Sequence, residues 1–153
     1  IDARLTTMSP EGLSLIGPLA LSTFERAGWE SDSVGGLTLG ADPISYSISY
    51  ASAKSGRPLR AFTVRKEAQS HGTGKMIEGP FREGDRVVVI EDVITTGGSA
   101  LRAIEAVRAA NGTVVGVLAL VDRDEGGSEE SRADGVQVIR RVADSQIVTV
   151  LEG

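Results

Sequence analysis

Apolar positions along the chain recur with two periods, and the two alternate. Ile1, Ala3 and Leu5 fall on every second residue and predict a short strand over residues 1–7. The step then changes. Ser9-Pro10-Glu11 puts a hydroxyl at an N-cap, proline at the first helical position and an acid in the first turn. Leu13, Ile16, Ala20, Phe24 and Ala27 follow at steps of 3, 4, 4 and 3, a helical stripe that Gly28 caps and that Gly17-Pro18 is expected to kink. Gly35 to Leu39 predicts a short buried strand. Pro43 to Ser55 predicts a helix with Ile44, Ile48 and Ala51 on one face, and Leu59 to Val64 another strand. Residues 65–85 carry charges and glycines without a period and predict a long loop, a kind of segment that in compact domains is usually functional or disordered.

The clearest strand is Arg86 to Ile90, where four consecutive apolar residues suit a strand covered on both faces. Ile94 to Gly98 predicts a turn. Ser99 to Ala110 is an amphipathic helix with Leu101, Ile104 and Val107 inward, stopped by Asn111-Gly112. Val114 to Val121 is a second two-sided strand, Gly135 to Val142 alternates, and Gln146 to Leu151 is strand-like. Continuous apolar strands alternating with helices argue for an α/β domain with a mainly parallel sheet flanked by helices.

Composition narrows the class. The chain has 153 residues, a formal charge of −5 and no cysteine. That length suits one domain with a real core, 1–153. The longest apolar or glycine run, Val114 to Val121, is far short of the ~20 residues that span a bilayer. An acidic chain without a basic block does not suit nucleic acid. The lack of cysteine excludes a disulfide scaffold, a thiolate metal site and a thiol nucleophile, and fits a cytoplasmic protein. The start at Ile1-Asp2-Ala3-Arg4, without methionine, leads us to expect a preceding segment.

The chemistry concentrates in Val87-Val88-Val89-Ile90-Glu91-Asp92-Val93-Ile94-Thr95-Thr96-Gly97-Gly98-Ser99. A buried strand ends in two carboxylates, a hydroxyl- and glycine-rich turn follows, and a helix starts. Unpaired N–H groups at the helix start suit the Thr95–Ser99 turn to a phosphate. Gly97 and Gly98 let backbone approach the anion, and Thr95, Thr96 and Ser99 add hydroxyl donors. Glu91 and Asp92 would repel phosphate, so sugar hydroxyls are their natural partner. A solvated strand end and a generic turn would explain an isolated Thr-Gly-Gly, but the thirteen-residue string favours a ligand site. Neither G-x-x-x-x-G-K-[ST] nor a strand-borne G-x-G-x-x-G occurs.

The string resembles the phosphoribosyl pyrophosphate (PRPP) signature of type I phosphoribosyltransferases. Three further segments narrow the resemblance to the orotate phosphoribosyltransferases: Gly36-Leu37-Thr38-Leu39-Gly40-Ala41-Asp42-Pro43, Val64 through Gly74, and Leu120-Val121-Asp122-Arg123. The resemblance implies a mainly parallel sheet with a small hood region, and Mg²⁺-dependent transfer of phosphoribose from PRPP to orotate, giving orotidine 5′-monophosphate and pyrophosphate. It implies that Thr95, Thr96, Gly97, Gly98 and Ser99 hold the 5′-phosphate, Glu91 and Asp92 the ribose, and Ala41 and Asp42 the pyrophosphate side. Arg123, with Thr95 nearby, would bind orotate. Arg65, Lys66 and His71, with Asp92, would be catalytic. Most of these sit on a mobile loop that reaches the neighbouring subunit of a homodimer, so the active sites are shared. Mg²⁺ would be held mainly by PRPP oxygens, with no dedicated protein ligand set.

Two departures stand out. Gln69 occupies a position where many family members carry a second loop lysine, and the family's N-terminal helix and lysine-bearing loop would lie upstream of Ile1. Gln69 keeps a competing reading open, a non-catalytic PRPP-binding regulator. A second competitor is a phosphoribosyltransferase for a neutral base, which would have no use for the Arg123 guanidinium. Arg123 also has a bland reading, as a structural partner of Asp122 or Asp124.

Overall fold

Alternate residues of the strand Arg86–Ile94 serve two different layers. Val87 and Val89 pack with Ala100, Ala103, Ile104 and Val107. Val88 and Ile90 pack with Ile16, Ala20, Phe24, Ile44 and Ile48 on the other side. A continuous apolar run was the signature of such a strand, and the computed structural model bears it out. The structure describes residues 2–72, 74–123, 138–142 and 145–151.

In chain order the elements are α1 (Arg4–Thr7), α2 (Pro10–Ala27), β1 (Ser33–Leu37), α3 (Ala41–Ala53), β2 (Arg60–Val64), β3 (Ile77–Glu78), β4 (Arg86–Ile94), α4 (Gly98–Ala109), β5 (Thr113–Asp122), β6 (Val138–Val142) and β7 (Ser145–Leu151). The strands form one sheet in the order β3-β2-β1-β4-β5-β6-β7. Neighbours from β2 through β6 pair in parallel. The edge strands β3 and β7 pair antiparallel, to β2 and β6. Helices α2 and α3 cover one face and α4 the other.

Several local expectations are corrected. Residues 4–7 form a helical turn, not a strand. Asp2 accepts from the backbone N–H of Arg4 at 3.1 Å, and Leu5 is exposed, so the short alternation marked no buried face. Helix α2 starts as expected, with the Ser9 hydroxyl accepting from Gly12 N–H at 3.0 Å, and ends on left-handed Gly28. It passes through Pro18 as one helix. Gly17 is there for closeness: a Cβ would come within 2.8 Å of the Ala51 Cβ on α3. Leu13 is partly exposed, so the buried stripe begins at Ile16.

Strand β1 starts two residues before the expected Gly35, which releases Thr38 and Leu39 into a turn. The expected loop over residues 65–85 contains β3, whose Ile77 and Glu78 pair with Val64 and Thr63. The largest extension is in β4. Its ladder with β5 continues past the carboxylates, through Glu91↔Ala119 and Val93↔Val121 to Ile94↔Asp122. The following turn therefore begins at Thr95, not Ile94. Of the expected alternating stretch Gly135–Val142, residues 135–137 lie outside the described residues, as does Asp124.

Candidate active site

Strand order reverses at β1: the chain goes from β1 through α3 to β2 on one side, then returns to place β4 on the other. In open α/β sheets such a reversal leaves a crevice outside the carboxyl ends of the strands. A cleft of about 590 Å³ lies there, lined by Leu37, Thr38, Leu39 and Gly40 after β1 and by Glu91, Asp92 and Val93 of β4. Lys66, Ser99 and the N-terminal stretch Asp2–Arg4 complete its wall.

Gly40 is what allows the two main walls to meet. A Cβ there would fall within 2.6 Å of the Asp92 Oδ2, so any side chain would displace that carboxylate. The Thr38–Leu39 peptide in the same turn is cis. Asp92 Oδ1 accepts from Val93 N–H at 2.8 Å. Glu91 is buried, and its pKa is pushed up to about 8, chiefly by burial and then by its hydrogen bond to Asp92 and that neighbour's charge. Glu91 therefore holds its proton at neutral pH.

Gly97 adopts the left-handed conformation, at φ 85°, and turns the chain into α4. Helix α4 thus opens at the cleft, with Ser99 on the wall, Thr95 half-buried, and Thr96 and Gly98 exposed. Its first backbone N–H groups have no partner within the helix, the physical basis of an anion site.

Of the other expected site residues, Lys66 lines the cleft and Ala41, Asp42, Arg65, His71 and Arg123 do not. Ala41 is fully buried in the core, so only its backbone is available. Asp42 is buried at the start of α3, with both carboxylate oxygens hydrogen-bonded to threonine hydroxyls. The Arg65 Nε donates to Glu78 at 2.9 Å, which draws this guanidinium toward β3. Its backbone N–H donates to Met76 O at 2.7 Å and closes a neck under residues 66–75. Lys66 begins that excursion, and its carbonyl accepts from the Arg102 guanidinium at 2.6 Å. His71 is exposed within it, outside the cleft lining. Arg123 is exposed at the end of β5, and its N–H donates to Ile94 O at 3.1 Å, beside the end of β4.

Sequence reasoning missed Thr38, Leu39, Val93, Arg4, Thr63 and Arg102. Thr38 and Leu39 lie inside a segment singled out for its resemblance, so only their role was unread. Arg4 lines the cleft with its Nε on Asp2 at 3.0 Å; that hydrogen bond, and more weakly the charge of Asp92, raises its pKa. No sequence signal marks Thr63 or Arg102, because their partners are distant in the chain.

Among the described residues, no group of three or more acid or histidine side chains is placed to hold a metal ion. The Asp92 carboxylate on the cleft wall fits a Mg²⁺ ion whose octahedron is filled mainly by a ligand's diphosphate and hydroxyl oxygens. No helix among the described residues is long and apolar enough to cross a membrane.

Residues 9–150 match the family model of the phosphoribosyl transferase domain. The chain is 45% identical to the orotate phosphoribosyltransferase of Aquifex aeolicus over 136 residues, covering 89% of this chain and 73% of that one. It is 48% identical to that of Streptomyces coelicolor over 138 residues, covering 90% and 74%. The chain belongs to the orotate phosphoribosyltransferase family.

Solved structures of the family superimpose closely. Mycobacterium tuberculosis orotate phosphoribosyltransferase in complex with PRPP matches with a TM-score of 0.81 and 43% identity, over 92% of this chain and 78% of that one. The same enzyme with Fe(III) dicitrate gives a TM-score of 0.83 and 45% identity, over 92% and 77%. The type I phosphoribosyltransferase architecture expected from the sequence is thus the one observed.

Proposed function

We propose that this chain transfers the phosphoribosyl group of PRPP to orotate, releasing pyrophosphate and forming orotidine 5′-monophosphate. One observation carries the reading: a single cleft gathers the Thr38–Gly40 turn, the Glu91–Asp92 pair, Lys66 and the start of α4. Each suits one part of PRPP. The N-terminus of α4, with Thr95, Thr96 and Ser99, binds the 5′-phosphate through N–H and O–H donors. Glu91 and Asp92 hold the ribose hydroxyls; a protonated Glu91 both donates and accepts, while Asp92 accepts. The Thr38–Gly40 backbone, leading into the N-terminus of α3, lies on the pyrophosphate side.

Displacement at the ribosyl C1′ breaks the bond to pyrophosphate and forms one to the base nitrogen, whose N–H proton passes to solvent or to the departing pyrophosphate, with positive charge building on the ring. Asp92 offsets that charge from the wall, and Lys66 offsets the charge developing on the leaving group. Mg²⁺ bound with the diphosphate would supply further neutralisation there. Arg123 pairs with the orotate carboxylate. Arg65 and His71 belong to the excursion that moves, and the exposure of His71 outside its own cleft lining supports a homodimer in which it serves the neighbouring site.

The direct test is pyrophosphate release with PRPP, Mg²⁺ and a panel of bases. Release with orotate alone is expected. PRPP binding without release from any base would establish a regulator instead, and release with a purine or uracil would reassign the base.

Arg123→Ala is expected to raise the orotate KM about 10- to 100-fold, the scale of one charge-assisted hydrogen bond, with PRPP affinity nearly unchanged. Steady-state kinetics with each substrate varied in turn measures both. An equal loss for the two would remove Arg123 from the base site.

A further inference from the structure

We infer that Thr63 is a positioning residue, which acts through Asp42 to fix the Thr38–Gly40 turn of the cleft. Asp42 is the second residue of α3 and only 7% exposed, a place where a carboxylate must find partners. It finds two, one from the turn after β1 and one from β2. The Thr38 hydroxyl, just past β1, donates to Oδ2 at 2.7 Å. The Thr63 hydroxyl, on β2, donates to Oδ1 at 2.8 Å.

The Tyr46 hydroxyl lies 3.1 Å from the Thr63 Oγ1. Thr63 has a single hydroxyl hydrogen, already given to Asp42, so Tyr46 is the donor. The chain of donation runs from Tyr46 to Thr63 to Asp42, and Asp42 is met from the other side by Thr38. The backbone repeats the link, because Thr38 N–H donates to Val64 O at 2.9 Å and Asp42 N–H to Leu39 O at 3.2 Å.

This arrangement revises the role of Asp42. It does not line the cleft, and both its oxygens face the clamp. A free carboxylate at the N-terminus of α3 would oppose an anion approaching the same helix end. Two hydroxyl donors hold that charge away from the ligand and use it to lock the turn. The clamp also joins the two segments that flank the pyrophosphate side, because Thr63 stands three residues before Lys66 on the same run of chain.

The kinetic arm of the test rests on the transfer reading, and the exchange arm does not. Thr63→Val keeps the shape and deletes the donor. It is expected to raise the PRPP KM roughly tenfold, the scale of one hydrogen bond to a charged group, with orotate KM and kcat close to wild type. It is also expected to speed amide hydrogen exchange at Thr38 and Asp42 in the protein alone. Thr63→Ser restores both. Wild-type exchange and PRPP KM in Thr63→Val, or a uniform loss of all kinetic constants with a lowered Tm, would overturn the inference, as would failure of serine to restore. If the wild-type protein releases no pyrophosphate while Thr63→Val still speeds exchange at these two amides, the clamp stands and the transfer reading falls.

Discussion

Lys66→Ala is expected to lower kcat by about 10²- to 10³-fold, the usual loss when one group aimed at developing charge is removed from an enclosed site. Pyrophosphate leaves with several negative charges, and Lys66 is the cation of the excursion that lines the cleft. Its side chain is exposed, so folding stability should hardly change. The residue is fixed through its main chain instead, where Arg102 on α4 binds its carbonyl. Lys66→Arg should keep a larger share of activity than alanine, since the charge survives while the point-like ammonium geometry does not. Single-turnover measurement of the chemical step is the decisive readout, and a wild-type rate for Lys66→Ala would dismiss the residue from catalysis.

The second large effect is on stability. Glu91 ionises at about 8 in the folded protein against an ordinary value of 4.5. Between those values the folded state holds a proton that the unfolded chain has released, so stability falls as pH rises. The stabilising contribution is complete below pH 4.5 and is lost as pH rises through 8. Its size is on the order of 5 kcal/mol across the whole window. Glu91→Gln imitates the protonated acid and should remove this decline. Denaturant unfolding at pH 5, 7 and 9 is expected to show the variant gaining on wild type at each step. Parallel profiles would mean that Glu91 is charged in the folded protein. Asp32 acts in another range: its hydrogen bonds with Arg86 hold its pKa below the ordinary value, so its contribution is present above that value and fades on acidification.

Burial on both faces wrote itself directly into the sequence of β4 and β5, and so did the start of α2, where hydroxyl, proline and acid are neighbours. Residues 87–99 were legible for the same reason, since strand, carboxylates, turn and helix follow without a gap. What stayed hidden depends on partners far along the chain. Glu91 is polar, so the strand was read as ending there, although pairing with Ala119 carries it on. Strand β3 is two residues long and exists only because β2 lies beside it. Asp42 was assigned to the ligand by its position in a segment, and only the meeting of β1 with β2 shows that threonines occupy it. The turn at Arg4–Thr7 was misread because three alternating residues are too few to separate a strand from a helical turn.

The neck formed by Arg65 N–H and Met76 O sets a tether length. His71 is five residues from Met76, and an extended chain covers at most about 18 Å in five residues. While the neck stays paired, His71 can act only inside a sphere around it whose radius is that reach plus the length of the side chain. A partner subunit served by this histidine must therefore bring its own cleft within that sphere, which restricts how two copies can dock before any contact between them is known.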